Sequence, residues 1–203
     1  MIMLSMNPLA HSECSSSAIR EEKVSYTAGG ITFKGFVAWD ESIKGKLPVV
    51  LVVHEWWGLN DYTKMRVRKL AGLGYLAMAV DLFGNGKVAA DPKEAQEFTG
   101  PYYQDPKLIK QRLDAAVKKV KEFKQADPTK IAAIGYCFGG FVILNYAKMG
   151  AGLKGVVVFH GGLGGFVGIP PEPDHARVCR PPSVHKGFQF FRFQPHLQST
   201  ESL

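Results

Sequence analysis

Residues 131–142 constrain the chain most. They read Ile131-Ala132-Ala133-Ile134-Gly135-Tyr136-Cys137-Phe138-Gly139-Gly140-Phe141-Val142. A short apolar run ends in a glycine, a cysteine follows between two aromatics, and a helical pattern begins at once. That is the strand–turn–helix context in which a G-x-[nucleophile]-x-G elbow makes physical sense. So sharp a turn needs small flanking residues, which Gly135, Gly139 and Gly140 supply. The turn would lift the Cys137 sulfur above the sheet edge. The Phe138 amide and the start of the next helix would lie beside it, able to stabilise a thiolate or an oxyanion. The competing reading is a buried structural cysteine in an ordinary glycine-rich connection.

The rest of the chain reads as strands alternating with helices. Residues 23–26 and 31–39 form two strands joined through Gly29-Gly30, a hairpin signal. Residues 48–53 are a continuous apolar run, as in a central strand buried on both faces. They lead into His54-Glu55-Trp56-Trp57-Gly58, after which Asn60 or Asp61 caps a helix running to about Leu73. Residues 75–80 are the next buried strand, followed by the loop Asp81-Leu82-Phe83-Gly84-Asn85-Gly86. Asp91-Pro92 opens a short helix and Asp105-Pro106 a long amphipathic one. Its apolar positions are Leu108, Ile109, Leu113, Ala116, Val117, Val120 and Phe123. Residues 130–134 lead into the elbow and residues 138–148 form the helix after it. A last buried strand, residues 155–159, ends in His160-Gly161-Gly162.

This alternation predicts an α/β fold: a mostly parallel sheet with helices on both faces. Function in such sheets sits at the carboxyl ends of the strands. Three segments converge there: Glu55-Trp56, residues 81–85 and Cys137. At 203 residues the chain suits one domain. Its net charge of +7 lies mainly on lysines of predicted helix faces, such as Lys118, Lys119 and Lys121, with no basic–aromatic motif for nucleic acid. Cys14, Cys137 and Cys179 match neither a disulfide framework nor a zinc pattern, and His54-Glu55 lacks the second histidine of a zinc helix. No apolar run reaches transmembrane length. The expectation is a cytoplasmic protein without cofactor or metal; Ala10-His11-Ser12 leaves a secretory leader open.

Gly-Tyr-Cys-Phe-Gly-Gly, with His-Glu-Trp-Trp-Gly-Leu-Asn and Asp-Leu-Phe-Gly before it and Phe-His-Gly-Gly after it, resembles the dienelactone hydrolase family of the α/β-hydrolase fold. The resemblance covers residues 21 to 165. It implies a cysteine nucleophile at Cys137, with Glu55 as the glutamate that contacts the resting thiol. It also implies an oxyanion hole from the backbone amides of Trp56 and Phe138, and a small ester or lactone as substrate. No nucleic-acid or membrane partner is implied. One departure is Asn85, where the family member acting on dienelactone carries an arginine for the substrate carboxylate. That puts dienelactone itself in doubt.

The second departure is larger. The family acid and histidine follow later strands, but after Gly165 this chain changes character. Pro170-Pro171 and Pro181-Pro182 interrupt it, and no carboxylate follows Gly187 until Glu201. Asp174 and His175 are adjacent, so the one cannot stand behind the other toward Cys137. His185 and His196 lack a matching carboxylate. His54 and His160 end strands and read as structural or rim residues. The expected organisation is therefore a flexible segment 1–20, an incomplete α/β-hydrolase domain 21–165 and an irregular tail 166–203, with the last strands missing and a sheet edge exposed. Two classes stay open. One is a cysteine hydrolase impaired in its base. The other is a degenerate, non-catalytic domain that binds a ligand or partner.

Overall fold

The computed structural model describes residues 18–162, together with the backbone of Arg177–Cys179 and Phe188–Arg192. Strands β1 (Ile19–Ala28) and β2 (Ile31–Asp40) form an antiparallel hairpin. Gly29 and Gly30, at φ 56° and 75°, make its two-residue turn, which requires left-handed backbone at both positions. β1 starts earlier than expected, at Ile19. There Glu21 is held from outside the hairpin by Arg68, Nε to Oε1 at 2.6 Å.

The sheet centre is β3 (Leu47–Val53), parallel to β4 (Leu76–Val80) on one side and to β5 (Ala126–Tyr136) on the other. β6 (Gly155–Phe159) adds in parallel to β5, and β2 pairs antiparallel with β4. β3 shows why a central strand reads as a continuous apolar run. Val49, Leu51 and Val53 enter one buried cluster with α3 (Pro106–Lys121) and α4 (Phe138–Lys148). Val50 and Val52 enter another with Val67 and Ala71 of α1 (Asp61–Ala71). Alternate side chains thus pack against helices on opposite faces.

The helix starts follow their caps. Asn60 accepts from the Thr63 N–H, Asp91 from Glu94 and Asp105 from Lys107. The helix after Asp91, α2 (Pro92–Gln104), is not short, and it contains Pro101. An internal proline removes a helix hydrogen bond; the fully buried Tyr102 anchors this turn, donating its hydroxyl to the Leu82 carbonyl. β5 is also longer than its apolar core. Its pairing with β3 shifts register between Pro48 and Val49, so Ala126 and Asp127 pair before the apolar run starts at Ile131.

Two short stretches of the tail have described backbone. At its described stretches the backbone is β: β8 (Phe188–Arg192) pairs antiparallel with β6, from Gly155↔Arg192 to Phe159↔Phe188, and β7 (Arg177–Cys179) pairs with β8. The order is β1-β2-β4-β3-β5-β6-β8-β7. β6 is thus paired with β5 on one side and with β8 on the other. The Phe-Gln-Phe-Phe run of β8 has the aromatic content that favours strands. The expected flexible segment lies outside the described residues except 18–20, as do Cys14, Asp174, His175, Pro181-Pro182, His185 and His196. Among the described residues no helix is long and apolar enough to cross a membrane.

Candidate active site

Cys137 joins β5 directly to α4, with φ 51° and ψ −115°. A non-glycine residue there costs about 1–3 kcal/mol and persists only where its surroundings fix it. Those surroundings are backbone. A Cβ on Gly135 would run into the Gly139 carbonyl, and one on Gly139 would lie 2.5 Å from the Val53 and His54 oxygens. One on Gly140 would meet Val158 Cγ1 at 2.7 Å and Gly161 Cα at 3.0 Å. Of the three glycines singled out from sequence, Gly135 is thus required by the tightness of the elbow itself, Gly139 by its approach to the end of β3 and Gly140 by its approach to β6 and Gly161. The Cys137 N–H donates to the Phe159 carbonyl at 2.9 Å, and its own carbonyl accepts from Gly140 at 3.0 Å. Its thiol is free and half-buried. Phe138 is the first residue of α4, a position whose N–H has no acceptor within the helix.

The β3 loop arrives beside this turn. His54 is buried; its Nδ1 lies 2.5 Å from the Glu55 carbonyl, and its Nε2 accepts from the Leu82 N–H at 3.4 Å. This fixes the neutral tautomer with the proton on Nδ1, and burial holds the imidazole below its ordinary range. The ring packs against Phe83 at 4.8 Å and Phe138 at 6.4 Å. His54 is structural, as the sequence suggests, and ties the Glu55 loop to the next one. Gly58, at φ 99°, crosses so near the Lys87 carbonyl that a Cβ would lie 2.5 Å from it, and the Trp57 carbonyl accepts from Ala89. Glu55 itself is about one-third exposed, with Oε1 3.6 Å from His160 Nε2.

The β4 loop serves a different purpose. Asp81 is fully buried. Its Oδ1 accepts from the N–H groups of Phe83 and Gly84, and its Oδ2 from those of Lys34 and Gly86. It shapes the loop rather than facing a substrate. Asn85 in that loop is left-handed, at φ 56°, and donates its N–H to the Thr32 carbonyl at 2.7 Å.

An aromatic wall completes the surroundings, and the sequence reading passed over it. Phe83 packs on Phe98 and Phe138, and Tyr102 on Phe138. The Tyr103 ring lies tilted 4.7 Å from that of Phe141 and edge-on 5.8 Å from that of Phe138. Burial first, then the neighbouring Cys137, pushes the half-exposed Tyr103 hydroxyl up. Arg112 of α3 donates to both the Leu82 carbonyl and the Tyr102 hydroxyl, and fixes the wall from behind. The Gly-Pro-Tyr-Tyr run of α2 was the available signal, but nothing in the spacing says that it faces the elbow.

The profile of the dienelactone hydrolase family matches residues 33–185. This chain belongs to the dienelactone hydrolase family. It is 31% identical over 130 residues to a protein of Aquifex aeolicus named "Putative carboxymethylenebutenolidase", covering 62% of this chain and 54% of the relative. Among solved structures, m3DLH is 38% identical with a TM-score of 0.70, over 72% of this chain and 61% of that one. The dienelactone hydrolase-like promiscuous phosphotriesterase P91 from metagenomic libraries is 40% identical with a TM-score of 0.69, over 71% and 60%. The chain spans about half the length of the curated relatives it matches first.

The α/β-hydrolase fold read from sequence is thus supported by both family and architecture. Of the residues singled out, Cys137 lies at the turn ending β5, Phe138 is the first residue of α4, and Glu55 and Trp56 lie on the loop ending β3. The Val53–His54 backbone touches the elbow through Gly139, which brings those loops together. The sites of Asp174, His175, His185 and His196 lie outside the described residues.

Proposed function

We propose that this chain is a hydrolase of small ester or lactone substrates that works through Cys137. The observation that carries this reading is the left-handed Cys137, held between β5 and α4 by glycines that no larger residue could replace. That conformation presents a thiol at a helix N-terminus, where a thiolate is favoured. The proton of the thiol passes to a nearby base, and the sulfur attacks the carbonyl carbon. The carbonyl π-pair moves onto oxygen, and the oxyanion is received by the N–H groups of Trp56 and Phe138. Collapse expels the alcohol, which takes up a proton, and leaves an acyl-thioester. Water then loses a proton to a base as it adds to the thioester, the C–S bond breaks, and acid and thiolate are released. Each oxyanion donor is worth about 3 kcal/mol of transition-state stabilisation in such sites.

The substrate side is uncharged in this reading, because Asn85 stands where an arginine would bind a carboxylate. Neutral esters and lactones fit that better than acidic ones, and a neutral phosphotriester, the substrate class in the name of P91, belongs in the same assay. The test is steady-state hydrolysis of a p-nitrophenyl ester by the purified chain and by Cys137→Ala. Loss of turnover at least a hundredfold in Cys137→Ala supports the hydrolase. Equal rates in both would favour the second reading, a non-catalytic domain that binds a ligand or partner.

A further inference from the structure

We propose that Tyr103 is a substrate-recognition residue of the Cys137 centre: its ring receives an aryl or short alkyl group of the ester or lactone. The proposal rests on the reading of Cys137 as the reactive thiol and adds the class of group that the site prefers. Four observations carry it. First, the ring lies on the two aromatics next to the elbow. Phe138 directly follows Cys137, and the Phe141 N–H donates to the Cys137 carbonyl at 3.3 Å. The centroid of the Tyr103 ring is 5.8 Å from that of Phe138 and 4.7 Å from that of Phe141. Second, Phe138 and Phe141 are buried, whereas Tyr103 is 50% exposed. The aromatic wall thus meets solvent at Tyr103. Third, the helix surface beside this ring is open. Gly100 stands one turn earlier on the same side of α2, and nothing lies within 4 Å of where its Cβ would be. Fourth, the Tyr103 hydroxyl is uncommitted. The preceding Tyr102 is fully buried and bonds the Leu82 carbonyl and Arg112, as a scaffold residue does. Among the described residues the Tyr103 hydroxyl has no hydrogen-bond partner.

The consequence for binding follows from the surface chemistry. A half-exposed aromatic ring keeps apolar area in water. A flat apolar group laid against it takes both surfaces out of water, and an aromatic pair gains beyond the area it buries. The ring is already packed on Phe138 and Phe141, so little side-chain freedom is left to lose on binding. The thiol lies within electrostatic reach of this phenol: burial first, and then Cys137, pushes the Tyr103 hydroxyl up. A group that extends a few bonds from the atom under attack therefore meets Tyr103, whereas a methyl or ethyl group is too short to cover the ring. A charged group gains nothing there, in keeping with the uncharged substrate side read from Asn85. If Tyr103 instead only braced α2 against α4, its loss would affect large and small reagents alike.

The test compares N-benzylmaleimide with N-ethylmaleimide as reagents for Cys137 in the full chain. The sulfur adds to the maleimide double bond and a proton adds to the neighbouring carbon, so the readout needs neither turnover nor a deacylating base. Peptide mass mapping follows Cys137 separately from Cys14 and Cys179. The quantity read is the ratio of the two rate constants, divided by the same ratio for free glutathione. In the parent chain the corrected ratio should favour the benzyl reagent about three- to tenfold. Tyr103→Ala should bring it to within about twofold of one, and Tyr103→Phe, which keeps the ring, should hold the parent value. A parent ratio near one overturns the proposal. So does a Tyr103→Ala ratio equal to the parent's, even if both reagents slow, because that is the mark of a bracing role. A Tyr103→Phe ratio as low as that of Tyr103→Ala would assign recognition to the hydroxyl and overturn the ring. Cys137 that resists both reagents in the folded parent chain overturns the nucleophile reading itself, and Tyr103 with it. The two failures are thus distinguishable.

Discussion

Two carboxylates end neighbouring parallel strands and do opposite things. Asp81, after β4, is fully buried and accepts from the N–H groups of Phe83, Gly84, Lys34 and Gly86. Glu55, after β3, is about one-third exposed and lies 3.6 Å from the His160 imidazole. Every acceptor direction of Asp81 is committed to backbone, so it cannot move a proton without dismantling its loop. Glu55 is held loosely enough to exchange partners. In this α/β sheet the carboxyl ends of strands supply both the scaffold of a site and its chemistry. Saturation of the hydrogen bonds tells them apart better than position does.

That contrast can be broken by substitution. The largest stability effect is expected at Asp81→Ala, which leaves buried N–H donors unpaired. A loss of about 3–5 kcal/mol in urea unfolding is expected. A loss under 1 kcal/mol would mean that the loop does not depend on this carboxylate. Tyr102→Phe removes one hydroxyl that bonds the Leu82 carbonyl and Arg112, and about 1–2 kcal/mol is expected on the same measurement.

His54 sharpens the comparison through pH. Its imidazole is depressed in the folded state by burial, so the unfolded chain takes up this proton first as pH falls. Stability from this group is complete above about pH 6.5 and declines as pH drops below it. Urea unfolding between pH 5 and 7.5 should therefore be steeper with pH in the parent than in His54→Gln. Parallel slopes would contradict the neutral, buried tautomer. The smallest stability effect is expected at Glu55→Gln, within about 0.5 kcal/mol, as for other exposed ion pairs. A larger loss would make Glu55 a scaffold residue like Asp81.

Much of this was legible in the sequence because it is local. The elbow is encoded by glycines four and five residues apart, Gly135, Gly139 and Gly140, and the helix starts by Asn60, Asp91-Pro92 and Asp105-Pro106. The continuous apolar run of β3 announces a strand covered on both faces. What was not legible depends on distant parts of the chain. Tyr102 and Tyr103 reach the elbow because α2 continues through Pro101, which local rules would end. Arg112 reads as one more charge on an amphipathic helix until the fold brings Leu82 beneath it. The pairing of β8 with β6 joins residues 29 to 37 positions apart, and no turn signal marks it. His160 follows directly after β6, and nothing in its local sequence marks its approach to Glu55, about a hundred positions earlier.

The most direct test of the account is to mix the purified chain with a p-nitrophenyl ester, quench in acid within the first turnovers, and map the acyl group by peptide mass spectrometry. The account expects one acyl group on the peptide carrying Cys137, absent from Cys137→Ala. An acyl group on any other residue, or ester hydrolysis that persists unchanged in Cys137→Ala, would contradict it.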